Sequence, residues 1–158
     1  MCLVFDSGSV HAKTKALRFD KNGERICYKV VQKNNKPLYR RRTRVNYAEK
    51  QVVSNRRSQP ISKRENWAGE IYYGIHVFTT KAEAALLKAY VDRFDNSEDT
   101  KIIKVICKKS DLVAVGEMRW YAYKKVNGIY IYDHICYNYK SAVFMTVYPL
   151  KEKKKMGR

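Results

Sequence analysis

The 158-residue chain reads as an α+β protein: a mostly antiparallel sheet, one principal helix and a basic, loop-rich insertion. Three observations predict this. Two Asn-Gly dipeptides, at 22–23 and 127–128, each lie between runs rich in β-branched and aromatic residues, the pattern of tight hairpins. A single segment, 80–94, carries apolar residues at helical spacing behind an N-terminal cap. Between the two hairpins, arginine-rich sequence with little periodicity marks the insertion, about 36–69. The length suits one domain, 1–150, with a basic tail at 151–158.

The elements follow in order. "MCLVF" reads as an N-terminal strand with Cys2 packed inward. "ALRFDKNGERICYKVV", residues 16–31, reads as a hairpin about Asn22-Gly23, setting Lys21 opposite Glu24, Asp20 opposite Arg25 and Phe19 opposite Ile26. Both charge pairs then have opposite signs, which favours that register. Within the insertion a strand is expected around Leu38 to Tyr47, and the remainder is loop. A strand at 71–78 runs into the helix at 80–94, where Thr80 and Glu83 form a capping box. Ala82, Leu86, Ala89 and Arg93 make one stripe, flanked by Leu87, Val91 and Phe94, and this band is expected to pack on the sheet. "DNSED" ends the helix and "TKIIKVICKK" reads as a well-buried strand.

The second hairpin, "RWYAYKKVNGIYIYDHIC", pairs Val126 with Ile129, Lys124 with Ile131, Ala122 with Asp133 and Trp120 with Ile135 on one face. The other face pairs Lys125 with Tyr130, Tyr123 with Tyr132, Tyr121 with His134 and Arg119 with Cys136. "SAVFMTVYPL" forms a final strand before the tail "KEKKKMGR".

Charge narrows the function classes. Thirty-three Lys and Arg against 15 Asp and Glu give +18, which favours nucleic acid, an anionic membrane or an acidic protein as partner. Ten basic residues and one acid, Glu49, lie between Lys36 and Arg64, so half of the net charge sits in 29 residues. The guanidinium fork matches phosphate oxygens, and Arg40, Arg41, Arg42, Arg44, Arg56, Arg57, Lys63 and Arg64 are the candidate phosphate contacts. The competing reading is a solvated loop that keeps the protein soluble. Tyr121, Tyr123, Tyr132 and His134, with cations beside them, would offer stacking surfaces to unpaired bases. They would equally serve as a second buried face, since tyrosines pair well across strands.

No apolar run approaches the ~20 residues of a membrane span, and "MCLVFDSGSV" lacks the layout of a secretory signal. The four scattered cysteines read as free, partly buried thiols, and the expected location is cytoplasmic, with no membrane partner. His134 and Cys136 are two apart on a strand, but two ligands do not make a structural zinc site, so no metal is expected. No phosphate-loop pattern is present and no cofactor is expected.

The opening "MC" resembles the amidotransferases and related N-terminal nucleophile hydrolases, which would imply a nucleophilic role for Cys2 once Met1 is removed. Over residues 26–113, "ICYKVV", "YYGIHVFTTKAEAA" and "IIKVICKKSDLVAVG" resemble small phage and mobile-element proteins beginning Met-Cys-Leu. The same order of segments is similar to ADP-ribosyltransferase-like folds, which implies a nicotinamide-dinucleotide pocket, with Glu117 and Asp133 at the positions of the late acidic residue. The expected function is non-enzymatic binding of RNA or DNA through its phosphate backbone, single strands included. Within a phage setting this suits an inhibitor of a host-defence nucleoprotein complex. The alternatives are an enzyme or nucleotide-sequestering protein with an ADP-ribosyltransferase-like pocket, and a basic adaptor docking an acidic protein surface.

Overall fold

The computed structural model describes residues 2–5, 17–38, 45–54, 69–71, 74–94, 99–127 and 129–151; for 2–5, 69–71, 93–94, 118–126 and 129–139 it describes the backbone alone. The fold is α+β. The strands are β1 (Cys2–Phe5), β2 (Glu24–Gln32), β3 (Val52–Val53), β4 (Gly69–Ile71), β5 (Ile75–Phe78), β6 (Thr100–Lys108), β7 (Leu112–Val126), β8 (Ile129–Phe144) and β9 (Thr146–Pro149). One α-helix, α1 (Lys81–Phe94), is present among the described residues, and a 3-10 turn at Lys109–Asp111 leads into β7.

All nine strands join a single sheet in the order β3-β9-β6-β2-β5-β8-β7-β1-β4, and every pairing is antiparallel. This order has a geometric consequence. β8 and β9 are separated in the chain by Met145 alone, yet three strands lie between them in the sheet. A flat sheet would set them about 19 Å apart, whereas the linking residues reach only about 7 Å. The sheet must therefore curl, bringing Phe144 and Val147 into one apolar cluster with Cys27, Val31, Ile75, Val77, Val105 and Cys107. Leu17, Phe19, Val45 and Tyr47 close that face, with Phe19 set edge-to-face on Phe144 at 6.4 Å.

The opposite face receives the helix. Ala84, Leu87 and Val91 pack on Val30 and Phe78, joined by Tyr28, Leu38, Tyr90 and Ile102. Thr80 caps the helix as expected, its Oγ1 accepting the Glu83 N–H at 3.3 Å. The buried stripe is displaced from the expected one: Leu87 and Val91 are buried, but Ala82, Leu86 and Ala89 face water, Leu86 with 61% of its surface. Both stripes have helical spacing. The direction of entry from β5 selects Ala84, Leu87 and Val91, because these point down onto β2.

The hairpins also correct their sequence reading. The second closes as expected, with Val126 opposite Ile129, Lys125 opposite Tyr130, Lys124 opposite Ile131 and Tyr123 opposite Tyr132. Asn127 takes the positive φ (51°) that such a turn needs. Beyond Tyr123 the register shifts by two residues, so Tyr121 meets Cys136, Trp120 meets Tyr137 and Arg119 meets Asn138, in place of His134, Ile135 and Cys136. In the first hairpin Asp20, not Lys21, sets the turn: its carboxylate accepts the N–H groups of Asn22 and Glu24, and its own N–H donates to the Glu24 carbonyl. Residues 18–20 are not a strand; β2 pairs instead with β5 and β6.

Residues 141–144 continue β8 and do not begin a new strand. The expected strand at 71–78 divides into β4 and β5 around Gly74 (φ +80°), where a Cβ would lie 2.4 Å from Val143 Cγ1. In the insertion, Pro37 bridges Val31 and residues 47–50 form turns, so the strand expected near 38–47 is not seen in its described part.

Candidate nucleic-acid interface

Arg40, Arg41, Arg42, Arg44, Arg56, Arg57, Lys63 and Arg64 lie outside the described residues; what the structure fixes is where their segment is tied down. The Gln32 N–H donates to the Lys36 carbonyl, the Gln32 side-chain amide to the Pro37 carbonyl, and the Tyr47 N–H to the Asn35 carbonyl at 2.9 Å. Leu38 packs into the helix-side cluster and Val45 into the cluster on the other face. Leu38 and Val45, which flank the first four arginines in sequence, are thus anchored on opposite faces at the end of the sheet where β2 finishes and β6 begins. The second basic stretch leaves the same core from β3, whose Val52 is buried against Val147.

Tyr47 is the keystone of this end. It is buried, and burial pushes its hydroxyl pKa up. The Lys29 ammonium lies 5.4 Å from its ring centroid and donates to the His76 carbonyl at 2.7 Å. Burial lowers the Lys29 pKa to about 8. Lys29 is half-buried. Tyr47 also lines a half-open cavity of about 360 Å³ together with Asn35, Glu49, Lys101, Ile103, Pro149 and Lys151. Two lysines and one glutamate in this lining leave it net positive and able to hold an anion.

Behind this end, strand alternation places Arg25, Cys27 and Lys29 on the curled face with Cys107. Sequence reading missed these cations, although their parity with Cys27 and Val31 in "RICYKVV" is the signal for an inward position. Arg25 donates to the carbonyls of Arg18 and Thr79, while its Nε is buried without a well-placed acceptor. A hydrogen bond from Cys107 holds the Cys27 thiol below its ordinary value against the opposing effect of burial, and the Arg25 charge adds to the lowering. Cys107, the proton donor of the pair, is pushed up by the same bond and by burial. Both thiols are free and fully enclosed, so they take part in packing and charge balance and are closed to a substrate.

Tyr121, Tyr123, Tyr132 and His134 lie on the long β7–β8 hairpin. Its register sets Tyr123 opposite Tyr132, and separates Tyr121 from His134. Their side chains lie outside the described residues, as do those of Cys2 and Asp133; β1 pairs with β4 and with β7, Cys2 opposite Arg119. Among the described residues no group of three His, Cys, Asp or Glu side chains could hold a metal ion, and no helix is long and apolar enough to cross a membrane. No family model matches the chain, and comparison with the curated proteins and with the solved structures returns no match.

Proposed function

We propose that the protein is a non-enzymatic nucleic-acid-binding protein that grips phosphates with its arginine-rich segment. One observation carries this reading: ten basic residues face a single acid between Lys36 and Arg64, and the segment's described parts are tied to one end of the sheet. Anchoring on both faces lowers the entropy cost of bringing several guanidinium groups onto one polyanion, which a free tail would bear in full. Lys101 and Lys151 of the adjoining cavity extend the cationic surface. Phosphate contacts set affinity and position and leave sequence preference open to other residues. A host-defence nucleoprotein complex, whose guide or target strand such a surface would compete for, is the partner class that suits this chemistry.

The test is binding of generic RNA and DNA across a salt series. With about six phosphates engaged, log K should fall against log salt with a slope of roughly −4 to −5.4. Changing Arg40, Arg41, Arg42 and Arg44 together to Gln should weaken all sequences alike and flatten the slope by roughly three to four units, with the melting temperature little changed. Absence of binding at low salt, or a quadruple variant with unchanged affinity and slope, would overturn the reading.

A further inference from the structure

The helix covers only part of its face of the sheet. Its buried residues reach Tyr28 and Val30 of β2, Ile102 of β6 and Phe78 of β5. Beyond its reach three side chains stand in one row across three strands: Tyr148 of β9 is opposite Ile106 of β6, which is opposite Ile26 of β2. Ile26 keeps 48% of its surface in water, and Tyr148 and Ile106 are half-buried. Toward the edge the face continues to Val53 of β3, 51% exposed. The row spans about 10 Å.

Cations flank it on both sides. β6 carries Lys101, Lys104 and Lys108 and no acid; by alternation Lys104 and Lys108 share the face of Ile106. The Lys108 ammonium sits 4.7 Å from the Tyr148 ring centroid. Glu24, opposite Lys108, is the one acid that β2, β6 and β9 place on this side. An apolar sheet face with an aromatic ring and lysines two residues to either side combines what an unpaired strand requires: a flat surface for the base and a cation for the adjoining phosphate.

We propose that this row is a stacking face for single-stranded nucleic acid, with a base seated on Tyr148 and its neighbour over Ile106 and Ile26, and with Lys104 and Lys108 meeting the flanking phosphates. The inference rests on the nucleic-acid reading above and adds to it a preference for unpaired strands, carried by residues outside the arginine segment. A duplex keeps its bases stacked internally and gains nothing from Tyr148.

The experiment compares a labelled oligothymidine of about twelve nucleotides, a length within the usual site size, with a duplex of the same length, both at low salt. Tyr148→Ala should weaken the single strand by about 5- to 150-fold, the range for loss of one stacked base, and leave the duplex within about twofold. Ile26→Glu, at a position exposed enough to spare the fold, should act in the same direction. Lys104→Gln with Lys108→Gln should flatten the single-strand salt slope by about 1.4 units. Single-strand affinity unchanged in both Tyr148→Ala and Ile26→Glu overturns the stacking face while the arginine reading stands, as does binding confined to duplex. Binding of neither strand form overturns both. A dimer in size-exclusion chromatography that Ile26→Glu dissociates would assign the row to a second copy of the chain, and a single-strand-insensitive but acidic-peptide-sensitive Ile26→Glu would assign it to a protein partner; either overturns the proposal.

Discussion

The two faces of the sheet treat charge and apolar surface in opposite ways. On the curled face, Arg25 and Lys29 are drawn inside among Cys27, Cys107 and Tyr47. On the helix face, Ile26 and Leu86 remain in water. Closure makes the difference. The curl of the sheet and the segments at 17–19 and 45–47 enclose most of one face, so side chains of inward parity are buried or half-buried whatever their chemistry. Among the described residues one 14-residue helix covers part of the other, and Ile26 and Val53 beyond its footprint stay exposed.

The comparison is sharpened most by Phe144. It is fully buried and set against Phe19 on the closed face. Phe144→Ala should cost about 3–5 kcal/mol, read as a fall in melting temperature of roughly 10–15 °C. Ile26→Ala on the open face should stay within about 0.5 kcal/mol. Comparable losses at the two positions would show that the open row is covered in solution.

Lys29 gives the next effect, and it depends on pH. Its folded pKa, about 8, lies below the ordinary lysine value of 10.5. Between these values the unfolded chain binds the proton and the folded chain does not, so stability rises with pH through that window. Denaturant unfolding should gain roughly 1 kcal/mol from pH 7 to pH 9. Above about pH 10 the raised Tyr47 pKa acts the other way, because the unfolded tyrosine ionises first. The lowered Cys27 pKa adds stability in the same direction as Lys29, the raised Cys107 pKa opposes it as pH passes 9, and Lys29→Met separates the ammonium from the thiol pair. That variant should be at least as stable as the parent at pH 7 and lose most of the gain toward pH 9. An unchanged pH profile in Lys29→Met would show that the ammonium is hydrated.

The smallest effects concern the helix. Thr80→Ala removes the side chain that accepts the Glu83 N–H and should cost about 1 kcal/mol in equilibrium unfolding. Leu86→Gln should change stability by less than about 0.5 kcal/mol, since Leu86 lies on the water side. Leu87→Gln, one residue on and fully buried, should be far more damaging; reversal of that order would restore the stripe read from the sequence.

The sequence alone determined what short-range chemistry controls. The turn at Asn127 and the pairing of Val126 with Ile129 follow from the positive φ that Asn-Gly permits. The helix start follows from one hydroxyl and one N–H three residues apart, and the α+β class from alternating and helical runs of adequate length. Concentration of charge between Lys36 and Arg64 is likewise a property of the chain. Tertiary structure decided everything that depends on a partner surface. Of the helical band read from the sequence, Leu87 and Val91 are buried, joined by Ala84, while Ala82, Leu86 and Ala89 face water, because β5 and β2 lie on the Leu87 side. The two-residue shift beyond Tyr123 and the turn set by Asp20 reflect pairings whose energies differ little locally, so the neighbouring strands break the tie. The row of Tyr148, Ile106 and Ile26 joins positions as far apart in sequence as they are close across the sheet, and only the order β9-β6-β2 brings them together. A periodic pattern fixes which residues share a face, whereas the length of the helix and the curl of the sheet fix which faces meet water.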